Sequence, residues 1–127
     1  MIVARLSLSD KLTIAELETG REHLLLEPAS QRLLMSLRRR LQSITQNIYI
    51  VRHISEQAED LFDVLVDGKL VVHIELPRDA RSEEVVFKIF GVDEYLNTRT
   101  HLTKIGRRRL KLALELAEQH ARRTDKT

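Results

Sequence analysis

The segment LFDVLVDGKLVVHIEL, residues 61–76, constrains the fold more than any other part of the chain. Apolar and polar side chains alternate on both sides of Asp67-Gly68, the period of a half-buried strand. An Asp-Gly pair usually marks a two-residue hairpin turn. Such a turn would set Leu65 opposite Leu70 and Phe62 opposite His73, mixing polar and apolar groups on each face. A three-residue loop, Val66-Asp67-Gly68, sets Val64 opposite Leu70 and Phe62 opposite Val72 instead. Phe62, Val64, Leu70, Val72, Ile74 and Leu76 then share one face, and Asp63, Lys69, Val71, His73 and Glu75 the other. A one-residue slip would undo that separation, so the three-residue loop is expected, with Gly68 left-handed.

Around this hairpin, NIYIVRHI (47–54) is rich in β-branched residues and predicts a strand. EEVVFKIF (83–90) predicts another, with Val85, Phe87 and Ile89 facing one way and Gly91 closing it. At the start, Ile2, Ala4, Leu6 and Leu8 alternate like a strand, and KLTIAEL and REHLLLE flank Gly20 as the arms of a first hairpin. Pro28 opens a helix in which Leu33, Leu34, Leu37, Leu41 and Ile44 cover an arc of roughly 100°. From Gly91 onward the pattern is helical for most of its length, with Asp93 or Thr103 as candidate caps and a break near 98–103. The expected architecture is one α+β domain over residues 1–127, ending in a disordered tail from about 123. Its antiparallel, curved sheet has five to six strands, with two main helices packed on one face.

Size and composition narrow the function. A chain of 127 residues holds one core and not two. No apolar run approaches the ~18 residues of a membrane span. Arg5 and Asp10 interrupt the stretch where a signal peptide would be apolar, so a cytoplasmic protein is expected. Cysteine is absent, which removes disulfides, thiolate nucleophiles and cysteine zinc sites. No phosphate-cradling glycine loop, nucleophile elbow or His-Glu-x-x-His motif is present, so the chain reads as non-enzymatic, with no cofactor and no metal. At 4% aromatic residues it has no stacking platform for single-stranded nucleic acid.

A formal net charge of +2 conceals segregation. Residues 31–54 carry five arginines and no acid, residues 55–95 carry eleven acids against four bases, and residues 96–127 carry nine bases against three acids. Arg-Arg-Arg-Leu occurs twice, at 38–41 and 107–110. Three consecutive helical residues span about 200°, so neither triplet forms a patch alone. Arg39 falls opposite the leucines of its helix, with Arg38 and Arg40 on the rims, the pattern of a solvated face. In the last helix Ile105, Leu110, Leu112, Ala113, Leu114, Leu116, Ala117 and Ala121 span about 200°, broader than one sheet contact needs. Arg109 lies inside that arc, where a buried charge requires a carboxylate partner, expected from the acidic 55–95 block. Arg107 and Arg108 point away.

His53, His73, Asp63 and Glu75 are the residues that could bind a metal or act as acid and base, since His73 and Glu75 share a strand face with Asp63 beside them. Alternating charges on an outward sheet face are the commoner outcome, and that is the expectation here. The run from Asp67 to Glu75 resembles the carboxylate strand of magnesium-dependent nucleases, but Leu76 and Pro77 stand where those enzymes place a lysine. HLTKIGRRRL (101–110) resembles the Leu-Thr-x-x-Gly segment that follows the wing in winged-helix regulators. A strand meander precedes it in place of that family's recognition helices, so no function is taken from the likeness.

The resulting expectation is a binding or interaction domain, homodimeric, taking a protein partner or a small apolar ligand and no membrane. Leu110, Leu114, Ala117 and Ala121 are the expected self-contact. A ligand pocket is expected between the last helix and Phe62, Val72, Phe87 and Ile89. The alternative is a nucleic-acid-associated protein, in which Arg38, Arg39, Lys104, Arg107, Arg108 and Lys111 form one basic surface because the two helices lie side by side.

Overall fold

A computed structural model describes residues 6–27, 30–41, 46–79, 85–98 and 103–124. Ile2, Ala4, Pro28, Ile44, Glu83 and Glu84 and the last three positions of the expected tail lie outside them. The elements run α1 (Leu8–Leu26), α2 (Gln31–Arg40), β1 (Ile48–Ser55), β2 (Glu59–Val66), β3 (Leu70–Pro77), β4 (Val86–Gly91), α3 (Val92–Thr98) and α4 (Lys104–Thr124). The class is α+β, and β1 to β4 form one antiparallel sheet in sequence order.

The central hairpin has a three-residue loop, but one position later than expected. Val66 opposes Leu70, Val64 opposes Val72 and Phe62 opposes Ile74. Asp67 and Gly68 both adopt positive φ, 54° and 67°, and Lys69 N donates to Val66 O at 3.0 Å. Asp tolerates this region better than most residues, and glycine enters it freely. Shifting the loop by one moves every pair by two, so the predicted division into faces survives.

Four strands are present among the described residues, fewer than five to six, because the expected first hairpin is a helix. Ser7 starts it with a capping box: its Oγ accepts Asp10 N at 3.0 Å, and the Asp10 carboxylate accepts Ser7 N at 3.4 Å. Leu17 and Leu24, two turns apart, are buried, while Leu8, Leu12 and Leu26 are exposed. Gly20 sits inside the helix rather than at a turn.

The helices are also divided between the two faces of the sheet rather than gathered on one. Leu33, Leu34 and Leu37 of α2 pack with Ile48, Val64, Val66, Val72, Ile74 and Leu76. On the opposite face, α4 packs through Leu110, Leu112, Ala113, Leu116 and Ala117 onto Tyr49, Val51, Leu65 and Val71, with Tyr95 of α3 beside them. The α1 helix lies along β1 and contributes to both layers, Leu17 to the α4 side and Leu24 to the α2 side. Its first half is tied to α4, where Arg108 grips Asp10 through two hydrogen bonds of 3.0 and 2.7 Å. A bidentate Arg–carboxylate pair of this kind fixes orientation as well as distance.

Candidate ligand-binding site

The site is built on an irregularity in β1. Ile50 opposes Val64, yet Arg52 opposes Asp63, so Val51 is an extra residue in a β-bulge. Strict alternation would send Arg52 to the α2 face with Ile48 and Ile50. The bulge turns it to the α4 face, beside Asp63. Arg52 Nη1 lies 3.7 Å from Asp63 Oδ2, and its side chain is 29% exposed.

Asp63 is the centre of a buried polar chain. Tyr95 donates its phenolic hydrogen to Asp63 Oδ2 at 2.6 Å. His73 Nδ1 lies 2.7 Å from Asp63 Oδ1, and His73 Nε2 lies 2.7 Å from Glu75 Oε2. Asp63 is 1% exposed and His73 5%, so this face is not the outward one the alternation suggested. The reason is the helical layer on this face: α4 packs over the pair Leu65 and Val71, and α3 sets Tyr95 against the next pair, Asp63 and His73. Each ring nitrogen of His73 thus has a carboxylate oxygen within hydrogen-bond distance. The Arg52 guanidinium beside Asp63 and the hydrogen-bond partners Tyr95 and His73 supply what a buried carboxylate needs to be tolerated. The space between Arg52, Phe62, Asp63 and His73 does not admit a water molecule, so no substrate reaches the imidazole there.

His53 is separated from this group. It opposes Phe62 on the α2 face, stacks on that ring with centroids 4.4 Å apart, and lies 3.4 Å from Asp60 Oδ1. Among the described residues no three His, Asp or Glu side chains are arranged to hold a metal ion.

Above the bulge a cavity of about 580 Å³ opens between α1, β1 and the start of α4. Ile50, Val51, Arg52 and His53 of β1 and Tyr95 of α3 line it from the sheet side, Glu16 and Gly20 from α1, and Thr103, Ile105, Gly106, Arg109 and Leu110 from the start of α4. Thr103 caps α4, its Oγ1 accepting Gly106 N at 3.0 Å. The volume falls in the range of small-molecule sites. Comparison with models of protein families, with curated proteins and with solved structures found no match. The reading of the site therefore rests on its own geometry. Two other clefts suit a ligand less well. One beneath α2, lined by Leu33, Phe62 and Leu76, holds only about 260 Å³. One of about 380 Å³ is walled almost entirely by charged groups, Glu18, Arg21, Glu22, His120 and Arg123, around Tyr49.

The residues singled out from sequence fall in several places. Val72 is fully buried on the α2 face, Phe62 and Phe87 pack against the same cluster, and Ile89 is half exposed on β4. None of the four faces α4, so the pocket expected between them and that helix is not formed; the sheet stands between. Leu110 and Ala117 are buried against the chain's own sheet, Leu114 is half-buried and Ala121 exposed. Gly68 explains the position of Ala117, because a Cβ on that glycine would lie 3.2 Å from the alanine methyl. Leu110, Leu112, Ala113, Leu116 and Ala117, most of the broad α4 arc, are thus buried within the same chain and supply no argument for a second copy.

Arg38 and Arg39 lie on α2, and Lys104, Arg107, Arg108 and Lys111 on α4, against opposite sheet faces, so the side-by-side basic surface is absent. All six are exposed, but Arg108 is held by Asp10. Arg40 lies over the Phe87 ring, 5.4 Å from its centroid. Arg109 Nη2 lies 3.4 Å from Glu16 Oε1, on α1 and not in the acidic 55–95 block. No helix among the described residues is long and apolar enough to cross a membrane.

Proposed function

We propose that this chain is a small-molecule-binding domain whose site is the cavity between α1, β1 and the start of α4. The observation that carries the reading is the convergence of Arg52, placed by the bulge, with Arg109 and Tyr95 on one cavity that also has apolar walls. A few convergent polar groups in a concave, partly apolar space are the usual make-up of a ligand site. The buried chain from Tyr95 to Glu75 acts beneath it as support: it holds Asp63, and Asp63 in turn orients Arg52.

A thermal-shift screen with a fragment set of neutral, cationic and anionic members tests the proposal. Gly20 lines the cavity, and a Cβ built there has nothing within 4 Å. Gly20→Leu therefore adds bulk at the wall without a clash at its root. Fragments that raise the melting temperature of the native chain are expected to lose their effect on this variant. Binding that is indifferent to Gly20→Leu, or a screen with no stabilising fragment at all, would contradict the reading.

A further inference from the structure

We infer that the natural occupant of this cavity is a small organic carboxylate with an apolar body, its charged end on Arg52 and Arg109. The inference rests on the cavity being the ligand site, and names what the site selects. Among the described residues the Arg52 guanidinium makes no hydrogen bond, since its nearest carboxylate oxygen is 3.7 Å away. It nevertheless lies mostly within the fold, 29% exposed, where it lines the cavity. Arg109 has one long hydrogen bond of 3.4 Å to Glu16, and its side chain is 26% exposed. Each guanidinium carries five donors in a planar fork, a geometry that matches a carboxylate.

The acids nearby do not cancel this preference. Asp63 does not line the cavity, and its two oxygens are already engaged by the Tyr95 hydroxyl and the His73 ring. Glu16 is 62% exposed, so water screens its charge while the two arginines face inward. Of the acidic and basic groups that line the cavity, Arg52 and Arg109 outnumber Glu16 by one positive charge, which suits a monoanion better than a phosphate dianion. Val51 and Leu110 line the rest of the wall, and Ile105, 76% exposed, stands at the mouth. An apolar body that follows the carboxylate inward would cover Ile105, and burial of that side chain is favourable by the ordinary hydrophobic effect. A neutral apolar ligand would leave the Arg52 guanidinium desolvated without a hydrogen-bond acceptor, and a cationic one would face like charge.

Isothermal titration of the full chain with octanoate, octanol, octylamine and octyl phosphate decides the matter. Octanoate is expected to bind most tightly, octanol roughly tenfold or more weakly for want of charge-assisted hydrogen bonds, and octylamine not at all. Octanoate affinity should fall by a similar factor in Arg109→Gln, a variant at a half-exposed position that leaves the core intact. Arg52→Gln should do the same, and circular dichroism of that variant verifies the fold, since Asp63 then loses a partner. Raising salt should weaken octanoate and leave octanol unchanged. Equal binding of octanol and octanoate would overturn the carboxylate inference and leave the cavity reading standing. Tighter binding of octyl phosphate would replace carboxylate by phosphate as the selected group and overturn the inference equally. Failure of all four, together with a silent fragment screen, would remove the cavity reading itself.

Discussion

Asp63 answers to three partners at once, and its neighbours are understood through it. Its buried carboxylate accepts from Tyr95 and His73 and faces Arg52. Replacing it with alanine leaves an imidazole, a phenol and a guanidinium without their common acceptor. Asp63→Ala is expected to cost about 3–5 kcal/mol in urea denaturation, the usual penalty for breaking a buried charged pair from one side. Tyr95→Phe removes a single donor and should cost about 1–3 kcal/mol. A loss below that range for both variants would show that the polar chain contributes little to the fold. Part of this cluster was legible: period-two alternation puts Asp63, His73 and Glu75 on one face. Two members were not. Tyr95 arrives from a helix 32 residues away, and Arg52 faces Asp63 only because Val51 bulges out of register. Neither event leaves a mark in the local pattern. Gly68 makes the opposite case, since a left-handed glycine was required by the hairpin itself. Its φ of 67° and its closeness to Ala117 predict that Gly68→Ala destabilises by about 1–2 kcal/mol or more, measured as a lowered unfolding midpoint.

At the scale of the element, α1 shows why a hairpin and a helix are hard to tell apart. Its apolar residues surround the axis instead of forming a stripe, because one end packs on the α4 layer and the other on the α2 layer. A central glycine preceded by Thr13, Ile14 and Thr19 then looks like a turn. The contrary signal was present in Ser7-Leu8-Ser9-Asp10, the Ser-x-x-Asp form of a capping box. Asp10 also receives Arg108, and the hydrogen bonds from that guanidinium hold its carboxyl down to about 2, from 3.8. A depressed folded-state value means that the pair stabilises the fold above pH ~3.8 and loses that contribution as pH falls toward 2. The unfolding midpoints of the native chain and Asp10→Asn should therefore differ at pH 5 and converge as the pH approaches 2. A gap that stays constant across this interval would contradict the assignment. Within the same helix, Gly20→Ala should stabilise by about 0.5–1 kcal/mol, because a Cβ there meets nothing and glycine is a poor helix former.

Over the whole molecule, the decisive arrangement is a sheet covered on both faces. The sequence pattern distinguishes two faces of each strand but does not say how many are covered. A charged face such as Asp63, Lys69, His73 and Glu75 reads as outward by default. In the fold α4 packs on Leu65 and Val71, and α3 brings Tyr95 onto Asp63, so that Asp63 and His73 are buried. The breadth of the α4 apolar arc is legible, and most of it is covered by the sheet together with α1, an element whose own pattern looks like strands. Once α1 is a helix along β1, the space between its middle, the bulged strand and the start of α4 becomes a cavity. The account stands or falls on whether a ligand enters that cavity or the smaller cleft beneath α2. Intermolecular nuclear Overhauser effects from bound octanoate distinguish them directly. Contacts from its methyl and methylene protons to Val51, Ile105 and Leu110 are predicted, with none to Leu33 or Leu76. Contacts confined to Leu33, Phe62 and Leu76 would place the ligand on the other side of the sheet and contradict the account.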